Sequence, residues 1–484
     1  MQIVACPSCG AQVEFKSHAS VVAVCDYCRA TVMKDADAVK DLGKMSAVLE
    51  DFTRIQIGTA GVLNGRGFTV VGRIQLKYDA GMWNEWFLLF DDAATGWLGD
   101  SSGLYTATTE LPARSALPAF DDIVPGRHYN INDERFTASE KRTAACVGGQ
   151  GELPFKVGEG WQAKVADFRN GPAFVTLDYS DEAPVLYKGV AVTLEEMQCQ
   201  LLRDDEQIKT STGKYRGRLE ALDCPSCGSA IAYLPGVTRN LVCPSCQAVL
   251  DAAGPQAQIL AKSENIDKVK TTLPLGAKGQ INKVDWTVIG AMTRRDNEGS
   301  GWTEYLLYNT AGGFFWLVET DEGWSRSNVL PVWPDWPSVN ADSATLDKAS
   351  YKKLYDYPAT VEWAAGAFNW RVAAGDVVQV YEFESGQARL AAELTGDELT
   401  WSRSTPVAFD QLRGWFREVF KNDPLKNIPA QKLPSTGMAT KFAMWILGLN
   451  AIPLLFNFSG TIVWVIVAIL AVYLSEQYFD TKGS

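Results

Sequence analysis

The sequence predicts a mainly β fold with two similar repeats and a C-terminal transmembrane helical segment. Each repeat is expected to contain a short cysteine-rich module followed by a small β-barrel or sandwich. Three observations support this prediction: two matched sets of four cysteines, a long internal similarity, and an uncharged run of 33 residues near the end of the chain. The length of 484 residues exceeds that of one ordinary domain, and the 46% hydrophobic and 21% charged residues are typical of globular proteins.

Each cysteine set contains two CxxC pairs separated by fifteen residues. The first set is Cys6, Cys9, Cys25 and Cys28, and the second is Cys224, Cys227, Cys243 and Cys246. Two CxxC turns joined by a hairpin bring four thiolates around one ion, so the spacing predicts two zinc ribbons with two structural Zn²⁺ ions. Four protein ligands leave no open position for a substrate, which argues against a catalytic metal.

The offset of 218 residues between the two cysteine sets continues into the segments that follow them. Matching positions are residues 69–72 and 287–290, Glu85 and Glu304, and Asp167-Phe168 and Glu382-Phe383. Insertions and deletions change this offset by only a few residues. A register shared over most of both halves indicates a tandem duplication.

Runs of β-branched and aromatic residues between turn residues predict short strands within each repeat. Strands are expected at residues 68–78 and 86–90, and hairpins at residues 165–179 and 377–394. Short helices are expected at residues 36–51, 194–205 and 408–420. Short strands at close spacing favour a small barrel or sandwich over a parallel sheet covered by helices.

These patterns divide the chain into seven segments. They are zinc ribbon 1 (1–35), β-rich domain 1 (53–198), a linker (199–222), zinc ribbon 2 (223–252), β-rich domain 2 (271–412), a helix and linker (413–440) and a transmembrane segment (441–475). The last segment exceeds the roughly 20 apolar residues that span a bilayer. Pro453 and residues 457–460 interrupt it, which favours a hairpin of two short helices over one span.

Basic residues precede the predicted transmembrane segment. They are Arg413, Arg417, Lys421, Lys426, Lys432 and Lys441. An excess of Lys and Arg beside a span marks its cytoplasmic side. The first residues show no signal peptide, and paired cysteines act as metal ligands in a reducing compartment. We therefore expect the folded domains to face the cytoplasm.

Candidate catalytic groups are few. The two histidines, His18 and His128, have no counterpart in the other repeat. The carboxylates at Glu85 and Glu304 match each other, but the sequence shows no partner group for acid–base chemistry. We therefore predict no catalytic residue and leave enzymatic activity open. Five strand tryptophans either belong to the core or line a ligand groove: Trp83, Trp86, Trp97, Trp302 and Trp316.

The charge distribution argues against nucleic-acid binding. The formal net charge is −12 and the pI is about 4.9. The stretches around the two cysteine sets, residues 6–29 and 224–246, contain only Lys16, Arg29 and Arg239 as lysines or arginines. Binding to a phosphate backbone requires several such contacts on one face.

Several short motifs occur in both repeats and carry a family resemblance. They are Gly58-x-x-Gly61, residues 68–73 and residues 83–89, which recur at Gly276-x-x-Gly279, residues 286–290 and residues 302–307. The chain resembles the bacterial domain-of-unknown-function family 4178, whose members often carry CPxCG-type zinc ribbons and C-terminal membrane segments. The resemblance implies no established activity or catalytic residue. Neighbouring genes in the family encode aminopropyltransferase-like and small membrane proteins, which implies a membrane-associated complex at the bacterial inner membrane.

Three hypotheses of function follow from the sequence. The leading one is a non-enzymatic scaffold, anchored in the bacterial inner membrane, whose cytoplasmic domains bind protein partners. The second is a ligand-sensing or enzymatic β domain with structural zinc, in which the strand tryptophans form a pocket. The third is nucleic-acid binding, which the charge distribution disfavours. The sequence names neither the partner nor the ligand.

Overall fold

The computed structural model describes most of the chain up to residue 421. The described residues are 2–17, 19–35, 38–44, 53–78, 81–101, 104–155, 161–204, 220–233, 240–251, 258–261, 270–309, 312–421, 446 and 466–468. Met1–Phe420 form one compact unit. Among the described residues up to 421 the fold is mainly β, as the sequence predicts, and one short α-helix, α1 (Phe409–Trp415), follows the last strand.

Both repeats have the same succession of strands. The first repeat contains β1 (Gln2–Ala5), β2 (Gln12–Phe15), β3 (Val22–Val24), β4 (Ala30–Asp35), β5 (Ala38–Lys44), β6 (Ala60–Leu63), β7 (Arg66–Tyr78), β8 (Gly81–Phe90), β9 (Thr95–Ser101), β10 (Leu104–Leu111), β11 (His128–Ile131), β12 (Glu134–Leu153), β13 (Gln162–Asn170), β14 (Ala173–Asp178) and β15 (Val185–Val192). A single 3₁₀ turn, Phe120–Asp122, lies between β10 and β11.

The second repeat provides an equivalent set of strands. It contains β16 (Glu220–Asp223), β17 (Ala230–Tyr233), β18 (Asn240–Val242), β19 (Val249–Asp251), β20 (Gln258–Ala261), β21 (Lys278–Ile281), β22 (Val284–Arg295), β23 (Gly301–Asn309), β24 (Gly313–Thr320), β25 (Gly323–Val329), β26 (Ser343–Leu346), β27 (Ala349–Phe368), β28 (Val377–Ser385), β29 (Ala388–Leu394) and β30 (Leu399–Val407). This agreement confirms the internal repetition that the sequence predicts.

In each repeat the strand pairing closes on itself. The circuit of the first repeat runs β7-β12-β13-β14-β15-β10-β9-β8 and returns to β7, with every pair antiparallel. The second repeat forms the same circuit as β22-β27-β28-β29-β30-β25-β24-β23. Each repeat therefore contains a closed eight-stranded barrel, here called barrel 1 and barrel 2. Closure removes the unpaired edges of an open sheet.

Glycines form the seam at which each barrel closes. Gly72 pairs with Gly151 across the first seam, and Gly290 pairs with Gly366 across the second. Gly151 and Gly366 have φ angles of 70° and 94°, a left-handed conformation that glycine adopts without strain. A Cβ atom on Gly72 would overlap the carbonyl oxygen of Glu152. The seam strands therefore approach closely only because these positions lack side chains.

Each cysteine set lies in a pair of short hairpins, of which the first is a separate two-stranded sheet and the second extends the barrel sheet. We call residues 2–35 cysteine module 1 and the described residues between 220 and 251 cysteine module 2. Strand β3 of module 1 pairs with the end of β12, and β18 of module 2 pairs with the end of β27. The modules are thus continuous with the barrels through backbone hydrogen bonds.

Glu152 provides a further connection between cysteine module 1 and barrel 1. Its buried carboxylate accepts hydrogen bonds from the backbone N–H of Lys16 and Ser17 and from the hydroxyl of Ser20, at 2.7, 2.9 and 2.8 Å. The strand register places Ala367 at the equivalent position of the second repeat. This anchor is therefore a feature of the first repeat.

Alternate side chains of each barrel strand face opposite sides of the wall. On β8, Trp86 and Leu88 belong to a buried cluster with Leu194 and Met197, which follow β15. Trp83 and Glu85 lie on the other face of the same strand, since side chains alternate along a strand. Residues 194–198 form turns that cover the wall, so the helix expected at residues 194–205 is wrong.

The local predictions have mixed outcomes. The strands expected at 68–78 and 86–90, and the hairpins at 165–179 and 377–394, are confirmed by β7, β8, β13–β14 and β28–β29. The helix expected at residues 36–51 is wrong where the chain is described, because β5 pairs there with β4. The helix expected at 408–420 is confirmed over its first half by α1.

The predicted transmembrane segment, residues 441–475, lies outside the described residues except for Ile446 and residues 466–468. The linker preceding it is likewise outside them from residue 422 onward. In the part of the chain that is described, no helix has the length and apolar character needed to cross a membrane.

Candidate functional site

The cysteines of module 1 converge on one point. The Sγ atoms of Cys6 and Cys28 are 3.6 Å apart, those of Cys9 and Cys25 are 3.7 Å apart, and all four lie within 4.8 Å of one another. After each CxxC pair the chain turns back through a residue with positive φ, Gly10 or Arg29, whose N–H donates to the carbonyl of the first cysteine. These turns aim both sulfur atoms of a pair at the same point.

Module 2 has the same geometry. The Sγ atoms of Cys224 and Cys246 are 3.8 Å apart, and those of Cys227 and Cys243 are 3.7 Å apart. Four sulfur atoms placed about 2.3 Å from a central zinc at tetrahedral angles are separated by about 3.8 Å. Both sets of cysteines therefore fit a tetrahedral metal ion, and each can hold one.

The interior of barrel 1 contains a cavity of about 300 Å³. Side chains from all eight strands of the closed circuit line it, which places it inside the barrel. Leu330, Trp333 and Leu399 of the second repeat also line it. An eight-stranded barrel has an interior that either fills with side chains or holds one small ligand.

Glu85 on β8 is a polar group inside this cavity. The indole N–H of Trp83 donates a hydrogen bond of 2.7 Å to its carboxylate and fixes its orientation. Burial raises the pKa of Glu85 to about 8 and outweighs the hydrogen bond from Trp83, which acts in the opposite direction. Asp167 and Asp178 raise it further by repulsion, while Arg142 lowers it.

Asp167, Asp178 and Arg142 face the same cavity, whose lining also includes Asp100, Glu140, Glu398 and Arg169. Asp167 lies on β13 and Asp178 on β14, and burial raises the pKa of Asp178. Arg142 on β12 forms ion pairs with Glu140 and, at 3.6 Å, with Asp167. Its guanidinium also packs 4.5 Å from the centre of the Trp83 ring. The arginine is thus held against one side of the cavity.

The same three carboxylate positions recur in barrel 2. Strand register equates Glu85 with Glu304, Asp167 with Glu382, and Asp178 with Glu393. The indole N–H of Trp302 donates to Glu304 at 2.7 Å, as Trp83 does to Glu85. Because both repeats keep three carboxylates and the tryptophan that orients the first, we regard this cluster as the candidate functional site.

The two barrels differ in what surrounds this cluster. In barrel 2, Arg294 forms ion pairs with Glu393 at 3.0 Å and Glu304 at 3.5 Å. The hydroxyl of Tyr357 donates to Glu382 at 2.6 Å. Larger side chains also replace small ones: the positions of Ala163 and Gly99 in barrel 1 are those of Val378 and Val318 in barrel 2. The exchange also runs the other way, because Tyr187 and Thr176, which line the cavity of barrel 1, correspond to Ser402 and Ala391 in barrel 2.

The other residues that the sequence singles out have different environments. Trp83 and Trp97 line the cavity, whereas Trp86 packs on the opposite face of β8. Trp302 contacts Tyr357, and Trp316 stacks against Phe368 and Trp370.

Of the two histidines, His18 lies outside the described residues. The Nδ1 atom of His128 contacts the hydroxyl of Thr137 at 2.9 Å, and its Nε2 atom contacts the carbonyl of Pro337 at 2.7 Å. His128 thus joins the first repeat to the second and lies outside the cavity lining.

Four residues of the site are absent from the sequence-based candidates: Asp178, Glu393, Arg142 and Arg294. The two acidic residues share the offset of 215 that also relates Asp167 to Glu382. That offset could have identified them. The arginines occupy different strands, so repeat matching could not have related them.

The fold and site define a class of tandem eight-stranded barrels, each preceded by a four-cysteine module. Comparison with protein families identifies two copies of the Domain of unknown function (DUF4178), at residues 56–193 and 274–409. Because these copies cover more than half of the chain, the protein belongs to this family. No curated protein and no solved structure is significantly similar to the chain.

Proposed function

We propose that the protein is a ligand-binding protein whose barrel 1 holds a small molecule in its interior. The observation that carries this proposal is the cavity of about 300 Å³ with the Glu85, Asp167 and Asp178 cluster on its wall. Small-molecule sites are concave, mostly apolar, and carry a few convergent polar groups, and carboxylic acids with raised pKa values are frequent in them. This proposal takes up the second hypothesis from the sequence, since the paired polar groups that it required surround Glu85.

The cavity wall fits binding more directly than catalysis. Trp83, Trp97 and Trp161 supply flat apolar surfaces, and the carboxylates supply orientation. We assign no catalytic role to Glu85, because its hydrogen-bond partner, Trp83, is an indole that does not exchange protons in acid–base chemistry.

The proposal is tested with a neutral substitution that fills the cavity. Val165 lines the cavity from β13 and is partly buried. We expect protein purified under mild conditions to release a bound compound on denaturation, detected by mass spectrometry, and Val165→Trp to lose it. Val165→Ala enlarges the cavity and serves as the matched control. If no compound is released, a library of cations, anions and neutral molecules is screened for binding. The proposal fails if no library member then raises the Tm of the wild type more than the Tm of Val165→Trp.

We also propose that both cysteine modules are zinc ribbons with structural Zn²⁺. The sulfur spacings support zinc, and a set of four thiolates has no open position for a substrate. Elemental analysis of gently purified protein is expected to give two zinc ions per chain. A content of one or none contradicts the proposal.

The scaffold at the bacterial inner membrane is retained as a second proposal. Module 1 exposes two large apolar side chains, Tyr27 (85% exposed) and Ile3 (48% exposed), which are suited to contact with a protein partner. Purification of the full chain from detergent-solubilised membranes is expected to recover a stoichiometric partner, and Tyr27→Ser is expected to weaken its recovery. Recovery of the chain alone from the soluble fraction contradicts both the anchor and the partner.

A further inference from the structure

We propose that the ligand of barrel 1 is an organic cation whose N–H donors occupy the place that the Arg294 guanidinium takes in barrel 2. This inference rests on the proposed ligand-binding function and specifies the class of ligand. One chain contains the same carboxylate cluster twice, once paired with the buried Arg294 guanidinium and once beside a cavity.

Arg294 shows what the carboxylate cluster binds. It is buried on β22, and its Nη1 atom lies between Glu304 and Glu393. Burial alone lowers the pKa of Arg294, but the two carboxylates outweigh this effect and the net shift is upward. The guanidinium therefore stays charged and neutralises the buried acids.

The equivalent position in barrel 1 is Leu76. Leu76 lines the cavity, so the space that a guanidinium would enter from β7 is open. Glu85 and Asp178 correspond to the two carboxylates that Arg294 pairs in barrel 2. An isolated buried carboxylate is costly unless it is paired or protonated, so the cluster favours a cation that supplies the missing pair.

Arg142 does not take the role of Arg294. It lies on β12, at the position that Tyr357 occupies on β27. Its ion pairs are with Glu140 and Asp167, and it packs over Trp83. Arg142 is thus equivalent to the tyrosine that donates to Glu382. The second cavity arginine, Arg169, packs over Phe174 and corresponds to Glu384, so neither arginine lies at the position of Arg294, which remains for the ligand.

The charge of the whole cavity agrees with this assignment. Six carboxylate side chains and two arginines line it, an excess that repels anions and attracts cations. Its aromatic walls, including Trp83, Trp97 and Trp161, also suit a cationic group because the faces of aromatic rings are electron-rich.

The first experiment compares three small probes of different charge or head group on the full-length protein. They are n-propylguanidinium, n-propylammonium and propionate, titrated against the wild type, Leu76→Arg and Leu76→Met. We expect saturable binding of one or both cations to the wild type and to Leu76→Met. Leu76→Arg places a guanidinium where barrel 2 has one and is expected to weaken cation binding by about tenfold or more.

The second experiment removes the internal cation of barrel 2 and remains informative if Leu76→Arg does not fold. Arg294→Ala leaves Glu304 and Glu393 without their guanidinium, and we expect its Tm to fall. Ethylguanidinium at millimolar concentration is expected to raise the Tm of Arg294→Ala more than that of the wild type at equal ionic strength, whereas sodium is not.

The outcomes separate this inference from the function on which it rests. Binding of propionate but of neither cation overturns the cationic class, while a compound lost in Val165→Trp would still support ligand binding. Equal cation affinity of the wild type and a folded Leu76→Arg also overturns the cationic class. The same holds if ethylguanidinium does not raise the Tm of Arg294→Ala more than that of the wild type. The proposed function itself fails if the wild type releases no compound and no library member raises its Tm more than that of Val165→Trp.

Discussion

At the scale of single residues, Glu85 is in an environment that favours the neutral carboxylic acid. Burial raises its pKa from an ordinary value of 4.5 to about 8, and this effect outweighs the hydrogen bond from Trp83 and the charge of Arg142. Near neutral pH, the unliganded site therefore keeps a proton on Glu85. A bound cation would favour the ionised form, because an opposite charge nearby lowers the pKa of a carboxylic acid.

The raised pKa predicts a specific pH dependence of stability. Because the folded protein holds the Glu85 proton more tightly than the unfolded chain does, this group stabilises the fold less as pH rises from 4.5 to about 8. Glu85→Gln removes the titration and keeps the side-chain shape. We expect the variant to gain stability relative to the wild type as pH increases from 5 to 8.5, measured as a widening Tm difference by calorimetry.

An exposed carboxylate provides the control for this measurement. Glu182→Gln removes the same charge from an exposed position. We expect its Tm difference from the wild type to stay nearly constant over the same pH range. A constant difference for Glu85→Gln as well would show that the Glu85 carboxyl is not perturbed by its surroundings.

The sequence identifies part of the candidate site at this scale. Repeat matching identifies Glu85 with Glu304, and the tryptophan two residues before each is visible beside them. The partners of these acids, such as Arg142 and Asp178, lie on strands far away in the sequence, and only the pairing of the barrel strands brings them together. The neutral acid at Glu85 also depends on burial, which residue spacing does not reveal.

At the scale of elements, local sequence patterns predict strands better than they predict closure. The β-branched runs specify β7 and β8, and glycine-containing turns specify the β13–β14 and β28–β29 hairpins. Barrel and sandwich remain alternatives in the sequence because closure depends on β7 pairing with β12, about half a repeat away. The paired glycines at that seam, Gly72 and Gly151, are recognisable as seam residues only once the pairing is known.

The segment predicted as a helix, residues 36–51, shows an error in the type of secondary structure. Its described part, β5, forms hydrogen bonds with β4 at the edge of the sheet. Pairing with an existing strand satisfies backbone groups that a short isolated helix would leave open at its ends. Tertiary pairing therefore overrides the local preference, and a window of sequence that excludes β4 does not contain the deciding information.

At the scale of the whole molecule, one chain contains two barrels that share a strand order but differ in their interior side chains. In barrel 2, Arg294 pairs with Glu304 and Glu393, and Val378 and Val380 pack together with Ala359. Barrel 1 keeps the cluster beside open space, and residues of the second repeat close one side of that space. The two repeats are thus similar in register but different in interior chemistry.

Cysteine module 1 and barrel 1 are expected to depend on each other through Glu152. Its carboxylate receives three hydrogen bonds from the module, and Glu152→Ala would remove the acceptor of the buried Ser17 N–H and of the buried Ser20 hydroxyl, at a cost of about 2–3 kcal/mol. We expect a Tm lower by several degrees and faster loss of one of the two metal ions to a chelator, while the ion in module 2 is released at the wild-type rate. Glu182→Ala, which removes an exposed carboxylate, should change neither quantity. Unchanged release of both ions from Glu152→Ala would show that the module holds its metal independently of the barrel.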